Sequence, residues 1–383
     1  MGAAIRIASA SVFALASLFL LSATTSCDSQ SAPENLNSIL NPIRQKYDLP
    51  ALAAAVVTSK GLVAVGAVGV RKYGTNTPVT INDEFHLGSD TKAMTATLLA
   101  TLVEQGKLSW TTTIEQVFPE LAGKMNPAYR KVTLEQLLAH RAGLSDESWV
   151  HGKTFLDMHH LPGTPREQRA VYVSMILTER PDSEPGTKFL YSNRSYAIAG
   201  AMAERVADEP WEDLMRHRIF QPLGMDTCGF GAMGTPGEID QPWQHKRVAD
   251  EAHYAIEPDP LADNPPVIGP GGTVHCSIGD WGKFVTAHLL GEKGKPGILK
   301  PETFKRLHTP PFGGEYGYGW FLAARDWAGG PALNHTGTNL QNYSVVWMAP
   351  RKDFAVLVAT NQGDTFDACD ATAWALITHF THR

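Results

Sequence analysis

The chain has 383 residues, 43% of them hydrophobic and 19% charged, and a net charge of −6 at pH 7. That balance suits one large or two medium globular domains. With an acidic excess and no Lys/Arg cluster, it argues against a nucleic-acid partner.

The first 26 residues have the layout of a signal peptide. Arg6 supplies a positive start, Ile7 to Leu21 a short apolar stretch, and Ser22-Ala23-Thr24-Thr25-Ser26 a small-residue cleavage zone. The apolar stretch is too short and too serine-broken for a membrane span. Cys27 follows at once and resembles a bacterial lipoprotein acceptor, although Thr24 stands where that motif usually has leucine. Export to the periplasm or beyond is expected; a lipid on Cys27 and simple secretion are both open.

Past a polar connector at Ser31 to Asn35, apolar spacing predicts a helix over Leu36 to Tyr47. Two β-leaning runs, Ala51 to Thr58 and Leu62 to Val70, are joined by Ser59-Lys60-Gly61, a hairpin signal. The segment Gly88-Ser89-Asp90-Thr91-Lys92 then opens a helix, Ala93 to Val103, that is apolar nearly all round and so predicted to be buried. From Ser109 to Pro222 helical periods dominate, at Val132 to His140, Arg169 to Thr178, Tyr196 to Val206 and Trp211 to Ile219. Gly224 to Pro270 reads as long surface loops. A helix at Trp281 to Leu290 follows, then strands at Gly317 to Ala324, Ala332 to His335, Tyr343 to Ala349 and Phe354 to Thr360, and a last helix from Phe366 to Phe380. Strands at both ends and helices between them predict an α/β (α+β) fold. Its discontinuous sheet domain would take residues 33–108 and 266–383, with a mainly helical region, 109–265, inserted.

Three cysteines besides Cys27 remain, Cys228, Cys276 and Cys369, which allow at most one disulfide among themselves. Neither they nor the 14 histidines have metal-ligand spacing, and no metal or cofactor is expected.

Ser89 and Lys92 form the only S-x-x-K in the chain, where roughly one is expected by chance. Three residues apart, they share one helix face, so the amine can reach the hydroxyl. Burial and the positive end of the helix both favour a neutral amine, hence a base. Read alone, the pair is also compatible with an N-cap serine beside a solvated lysine. Two more segments supply what acyl transfer needs. Tyr191-Ser192-Asn193 precedes an apolar helix: the phenol can shuttle a proton, and the amide can hold a substrate or cap the helix. His335-Thr336-Gly337-Thr338 ends a strand at a glycine, where a ligand can approach the backbone and the Thr338 N–H can point at an oxyanion.

Together these residues resemble the serine β-lactamase and penicillin-binding-protein superfamily, in its class C β-lactamase, D-alanyl-D-alanine carboxypeptidase and serine esterase branch. Val132 to Leu144 resembles the branch's LLxHxSGL segment, Pro222 to Thr227 its PLGMxxT, and Gly269 to Thr273 its glycine turn. The resemblance runs from about Leu36 to the C-terminus. It implies a β-lactamase/transpeptidase-like fold, an antiparallel sheet flanked by helices with the site in the cleft beside a helical domain. It implies Ser89 as nucleophile, Lys92 and Tyr191 sharing the base role, and the Ser89 and Thr338 N–H groups as oxyanion hole. Asn193, His335, Thr336 and Gly337 would contact substrate. The expected substrate is a small molecule, peptide or ester.

Two departures matter. His335 stands where class C β-lactamases usually carry lysine, and a histidine is mostly neutral at pH 7. Carboxylate binding would fall to the Thr336 and Thr338 hydroxyls or to an arginine elsewhere. That favours a peptidase or esterase over a β-lactamase, while the intact motif residues argue against a penicillin-binding or sensor protein without turnover. Arg141-Ala142 also replaces the usual small hydroxyl residues after His140, and Asn339 and Gln341 lie either on substrate or in a turn. Oligomeric state is not legible.

Overall fold

Ala51–Thr58 (ALAAAVVT) has no polar face, and seven of its eight residues are buried. Such a run belongs at the centre of a sheet covered on both sides. The computed structural model, which describes residues 1–2, 32–145, 150–247 and 253–381, shows it there. The leader's apolar stretch and Cys27 lie outside the described residues. Residues Pro33–Arg383 form one compact unit.

In chain order its elements begin with β1 (Glu34–Asn35), α1 (Asn37–Lys46), β2 (Ala51–Thr58), β3 (Gly61–Gly69), β4 (Glu84–His86) and α2 (Thr91–Glu104). The helical middle includes α3 (Leu134–Leu138), α4 (Pro165–Ile176) and α5 (Asn193–Ala207). Trp211–Met215 continues it through a π-helical turn, Arg216–Phe220. Then come β5 (Gly229–Phe230), β6 (Gln244–Arg247), β7 (His253–Ile256), β8 (Val274–Ser277) and α6 (Ile278–Glu292). The chain closes with β9 (Phe321–Arg325), β10 (Gly330–Thr338), β11 (Tyr343–Ala349), β12 (Phe354–Thr360) and α7 (Phe366–Thr381).

The large sheet has the order β1-β3-β2-β12-β11-β10-β9. The antiparallel sheet expected from sequence is therefore mixed, because the short β1 runs parallel to β3 at the edge. Helices α1 and α7 cover one face, through a cluster that includes Leu40, Val56, Val358 and Leu376. The other face shares an unbroken core with α2, α5, α6 and the helical middle, from Val57 and Leu357 to Met94, Trp281 and Trp211.

Among the differences from the sequence reading, two bear on the site. The strand expected from Gly317 starts only at Phe321. Gly319, at φ +82°, packs so closely on the start of α2 that a Cβ there would lie 2.5 Å from Ala93 N. Gly319 is thus a backbone contact to the helix carrying Lys92, while Gly317 and Tyr318 pack on Leu307, and the stretch is not strand. The segment Gly224–Pro270 is also more ordered than surface loops. It holds β5 and the β6–β7 hairpin, and Gln244 and His245 are buried.

Candidate active site

Helix α2 is buried on every side from Thr91 to Leu102. Its threonines satisfy their hydroxyls on backbone carbonyls, Thr95 on Pro270 (2.7 Å) and Thr97 on Ala93 (2.8 Å), so they cost little in an apolar setting. A 3₁₀ turn, Gly88–Asp90, leads into it. This places Ser89, half-buried, one turn before Lys92, which is 0% exposed.

The Lys92 amine lies among three oxygens. It donates to Asn193 Oδ1 at 2.6 Å and to the Gly271 carbonyl at 2.7 Å, and stands 3.0 Å from Ser89 Oγ. Two N–H bonds go to the two carbonyl-type oxygens in either charge state. As an ammonium the third N–H points at Ser89; as a neutral amine the lone pair faces the Ser89 hydroxyl and can take its proton. The solvated-lysine reading is excluded by burial.

Asn193 opens α5 without capping it. Ser192 is the N-cap, its Oγ accepting from Ser195 N at 3.2 Å. The carbonyl of Gly271 is presented by the turn Gly269–Gly272. Small residues are required there, since a Cβ on Gly271 would meet Asn193 Oδ1 at 2.9 Å. Buried Arg169 braces the approach, donating to the Pro266 carbonyl at 3.0 Å while pairing with Glu204 and Glu212.

The Tyr191 ring lies 4.7 Å from Lys92 Nζ and 4.4 Å from the His140 ring. His140 is fully buried, and burial holds its pKa well below the ordinary value, helped by the Lys92 charge. Its Nδ1 accepts from Ser192 N (3.1 Å), so the proton sits on Nε2, which donates to the Tyr316 hydroxyl (3.1 Å). The Tyr316 hydroxyl in turn lies 3.5 Å from His335 Nε2, and His335 Nδ1 donates to the Thr336 carbonyl at 2.8 Å. Burial and then the Lys92 charge push His335 down to about 3, so it is a neutral ring at pH 7.

The third motif sits on β10. His335 and Gly337 face α2, whereas Thr336 and Thr338 alternate to the opposite face. The Thr338 hydroxyl donates to the Asn342 carbonyl (2.7 Å) and that of Thr336 pairs with Tyr343. The structure does not bring these two hydroxyls to Ser89. Gly337 lies directly on the Leu87 carbonyl, and a Cβ added at Gly88 (φ +48°) would sit 2.2 Å from Thr338 N. Two glycines thus let the Thr338 backbone lie against the nucleophile turn. Strand β9 pairs with β10 only as far as Asn334 opposite Phe321, so the backbone of residues 335–338 presents one open edge.

Several supporting groups carry no local sequence signal. Asp90 is buried; its Oδ2 accepts from Ser344 Oγ (2.6 Å), and its Oδ1 lies 3.8 Å from His335 Nδ1. Burial pushes its carboxyl up to about 7, against the opposing effects of the Ser344 hydrogen bond and Lys92. His86 Nδ1 accepts from Gly88 N (3.0 Å) and its Nε2 lies 2.8 Å from Asp263 Oδ1. Asp263 also accepts from Asn339 (2.9 Å), and Gln244 accepts from Asn339 (2.6 Å). Asn339 is 5% exposed and belongs to this buried network under the site, not to a substrate surface. Gln341 is half-buried in the turn after it.

A serine, a buried lysine, a tyrosine and an asparagine, facing a glycine-ended strand in a cleft between sheet and helices, define a class: the serine β-lactamase/penicillin-binding-protein superfamily of hydrolases. The beta-lactamase family model matches residues 36–379, and the chain belongs to that family. It is 28% identical over 333 residues to penicillin-binding protein 4 of Amycolatopsis lactamdurans, covering 84% of this chain and 83% of that one. Its fold matches the hydrolase EstCE1, described as having promiscuous acyltransferase activity, with a TM-score of 0.72 and 18% identity over 91% of this chain and 98% of that one. It also matches a D-stereospecific amidohydrolase from Streptomyces, with a TM-score of 0.65 and 21% identity over 87% and 98% of the two chains.

Proposed function

We propose that the protein is a serine hydrolase that cleaves an amide or ester through an acyl-enzyme on Ser89, of the D-Ala carboxypeptidase or esterase kind. The observation that carries this is the placing of Lys92 Nζ between Ser89 Oγ, Asn193 Oδ1 and the Gly271 carbonyl, inside a fully buried helix start. In the first step Ser89 Oγ bonds to the substrate carbonyl carbon and its proton passes to the Lys92–Tyr191 pair. The oxyanion is held by the N–H groups of Ser89 and Thr338. The carbon–nitrogen or carbon–oxygen bond then breaks, and the leaving atom takes the proton back. Water, giving its proton to the same pair, releases the acid and restores Ser89.

The preference over β-lactam hydrolysis rests on His335. A neutral ring offers no fixed cation to a substrate carboxylate, and the Thr336 and Thr338 hydroxyls are engaged elsewhere. The test compares a chromogenic cephalosporin, a p-nitrophenyl ester and a D-Ala-D-Ala peptide, each with a Ser89→Ala control. Turnover of the ester or the peptide that disappears with Ser89→Ala is expected. Turnover of the cephalosporin alone would identify a β-lactamase, and full activity in Ser89→Ala would remove the mechanism.

An exported location is part of the proposal. The Cys228–Cys276 disulfide supports it, since such bonds persist in oxidising compartments. Among the described residues no helix is long and apolar enough to cross a membrane. An intact mass of the mature protein decides whether Cys27 carries lipid.

A further inference from the structure

Beside the site lies a cavity of ≈ 420 Å³ whose walls include Arg141, Phe189, Phe312, Glu315, Tyr316 and Phe321. Phe189 and Phe312 are 38% and 39% exposed, which is unusual for phenylalanine and leaves two rings facing into open space. The cavity joins the reaction centre through rings. Phe189 lies 5.7 Å from His140 and His140 4.4 Å from Tyr191, while Phe321 lies 5.5 Å from His335.

Its position along β10 fixes which part of a substrate it meets. Thr338, at the oxyanion end, is three residues or about 10 Å of strand beyond His335. Tyr191, of the proton-donating Lys92–Tyr191 pair, has its ring 6.2 Å from that of His335, at the cavity end of this stretch. A group in the cavity therefore lies past the donor, on the side of the atom that leaves.

Arg141 is the charge that distinguishes this cavity. Among the described residues no carboxylate lies within ion-pair distance of its guanidinium, whose hydrogen bond is to the Thr187 carbonyl at 3.3 Å. Glu315, on the same wall, is exposed and opposes an anion placed next to it. We propose that this cavity is the leaving-group subsite, and that it takes a leaving group with an apolar or aromatic side chain against the phenylalanines and a carboxylate on Arg141. The cation missing at His335 is thus supplied from the other wall of the cleft. The inference rests on the acyl-enzyme reading above: when the scissile bond breaks, the leaving amine or alcohol takes its proton from the Lys92–Tyr191 pair and departs as the free amino or hydroxy acid.

The test is an equilibrium titration, independent of turnover, so that it fails or succeeds separately from the hydrolase assay. The probe is 3-phenylpropionate, with 3-phenylpropionamide and acetate as controls. The native protein should bind 3-phenylpropionate about tenfold or more tightly than either control, the scale of one charge-assisted pair or one buried ring. Arg141→Ala should erase the advantage over the amide, and Glu315→Gln, on an exposed residue, should preserve or enlarge it. Equal binding of acid and amide by the native protein overturns the proposal, as does an advantage that survives in a folded Arg141→Ala. Ester hydrolysis lost in Ser89→Ala, together with no preference for 3-phenylpropionate, would leave the hydrolase reading standing and remove this one.

Discussion

The Cα of Gly337 faces the Leu87 carbonyl so closely that a methyl group there would lie 1.8 Å from the oxygen. Both partners are backbone, so neither can swing aside. Gly337→Ala must push the end of β10 off the nucleophile turn and carry the Thr338 N–H with it. Loss of one oxyanion donor costs ~10²–10³ in rate, and kcat on an ester should fall by that much. Steady-state kinetics beside a circular dichroism melt checks it; unchanged kcat would mean that Thr338 is not an oxyanion donor.

Lys92→Ala removes the proposed base and leaves Asn193 Oδ1 and the Gly271 carbonyl without this donor. Acylation should slow by ~10²–10⁴, with a stability loss of about 1–3 kcal/mol from the buried hydrogen bonds removed with the amine. Lys92→Arg should not rescue the rate, because a guanidinium does not deprotonate. Burst kinetics on a p-nitrophenyl ester separates the acylation loss from any change in deacylation.

Asp90 gives stability a defined pH dependence. Its carboxyl is pushed up to about 7 in the folded protein, against about 3.9 for a free aspartate. Between those values the folded state binds more protons than the unfolded one. Its contribution to stability is therefore complete below about pH 4 and lost as pH rises through about 7. Glu84, also raised to about 7 by burial, acts in the same direction. In urea denaturation from pH 4 to 8, the stability of Asp90→Asn relative to the native protein should rise as pH passes through about 7. That difference isolates Asp90 from Glu84 and from the buried histidines such as His140 and His335, whose lowered pKa values act in the opposite direction. A slope identical to the native one would place the Asp90 pKa near its free value.

Cys228 and Cys276 close a loop of 48 residues. The chain-entropy model assigns such a link about 4 kcal/mol, and the paired Cys228→Ser, Cys276→Ser variant should lose a large part of it in chemical denaturation. Cys369 is buried, with its thiol pushed up to about 12. Alkylation of the native protein should leave it unmodified until the protein unfolds.

What could be read ahead of the structure was whatever declares itself locally. Apolar runs placed β2, β11, β12 and α7 to within a residue or two, because a strand or helix buried along its length has no choice of pattern. Ser89, Lys92, Tyr191 and Asn193 were legible as motifs, and the structure brings all four together. What stayed hidden were partners chosen by the tertiary fold. The Gly271 carbonyl that receives Lys92 belongs to a residue 179 positions away and has no side chain to advertise it. Tyr316, linking His140 to His335, belongs to none of the sequence motifs. Gln244 and Asp263 lay in a stretch rich in glycine and proline that read as surface. The outward turn of the Thr336 and Thr338 hydroxyls follows from strand alternation once the face carrying His335 is known, and that face is set by α2.

The start of β9 only at Phe321 leaves the edge of β10 at residues 335–338 unpaired by β9, and this bears on how the protein could acquire new substrates. On the proposed hydrolase reading, a substrate laid along that edge would be gripped through amide and carbonyl groups that every peptide, and in part every ester, possesses. The grip is indifferent to side chains. Mutations in the walls around it would then change what is accepted without disturbing the edge proposed to hold the scissile bond. Breadth of acceptance and constancy of chemistry are assigned to different parts of the molecule.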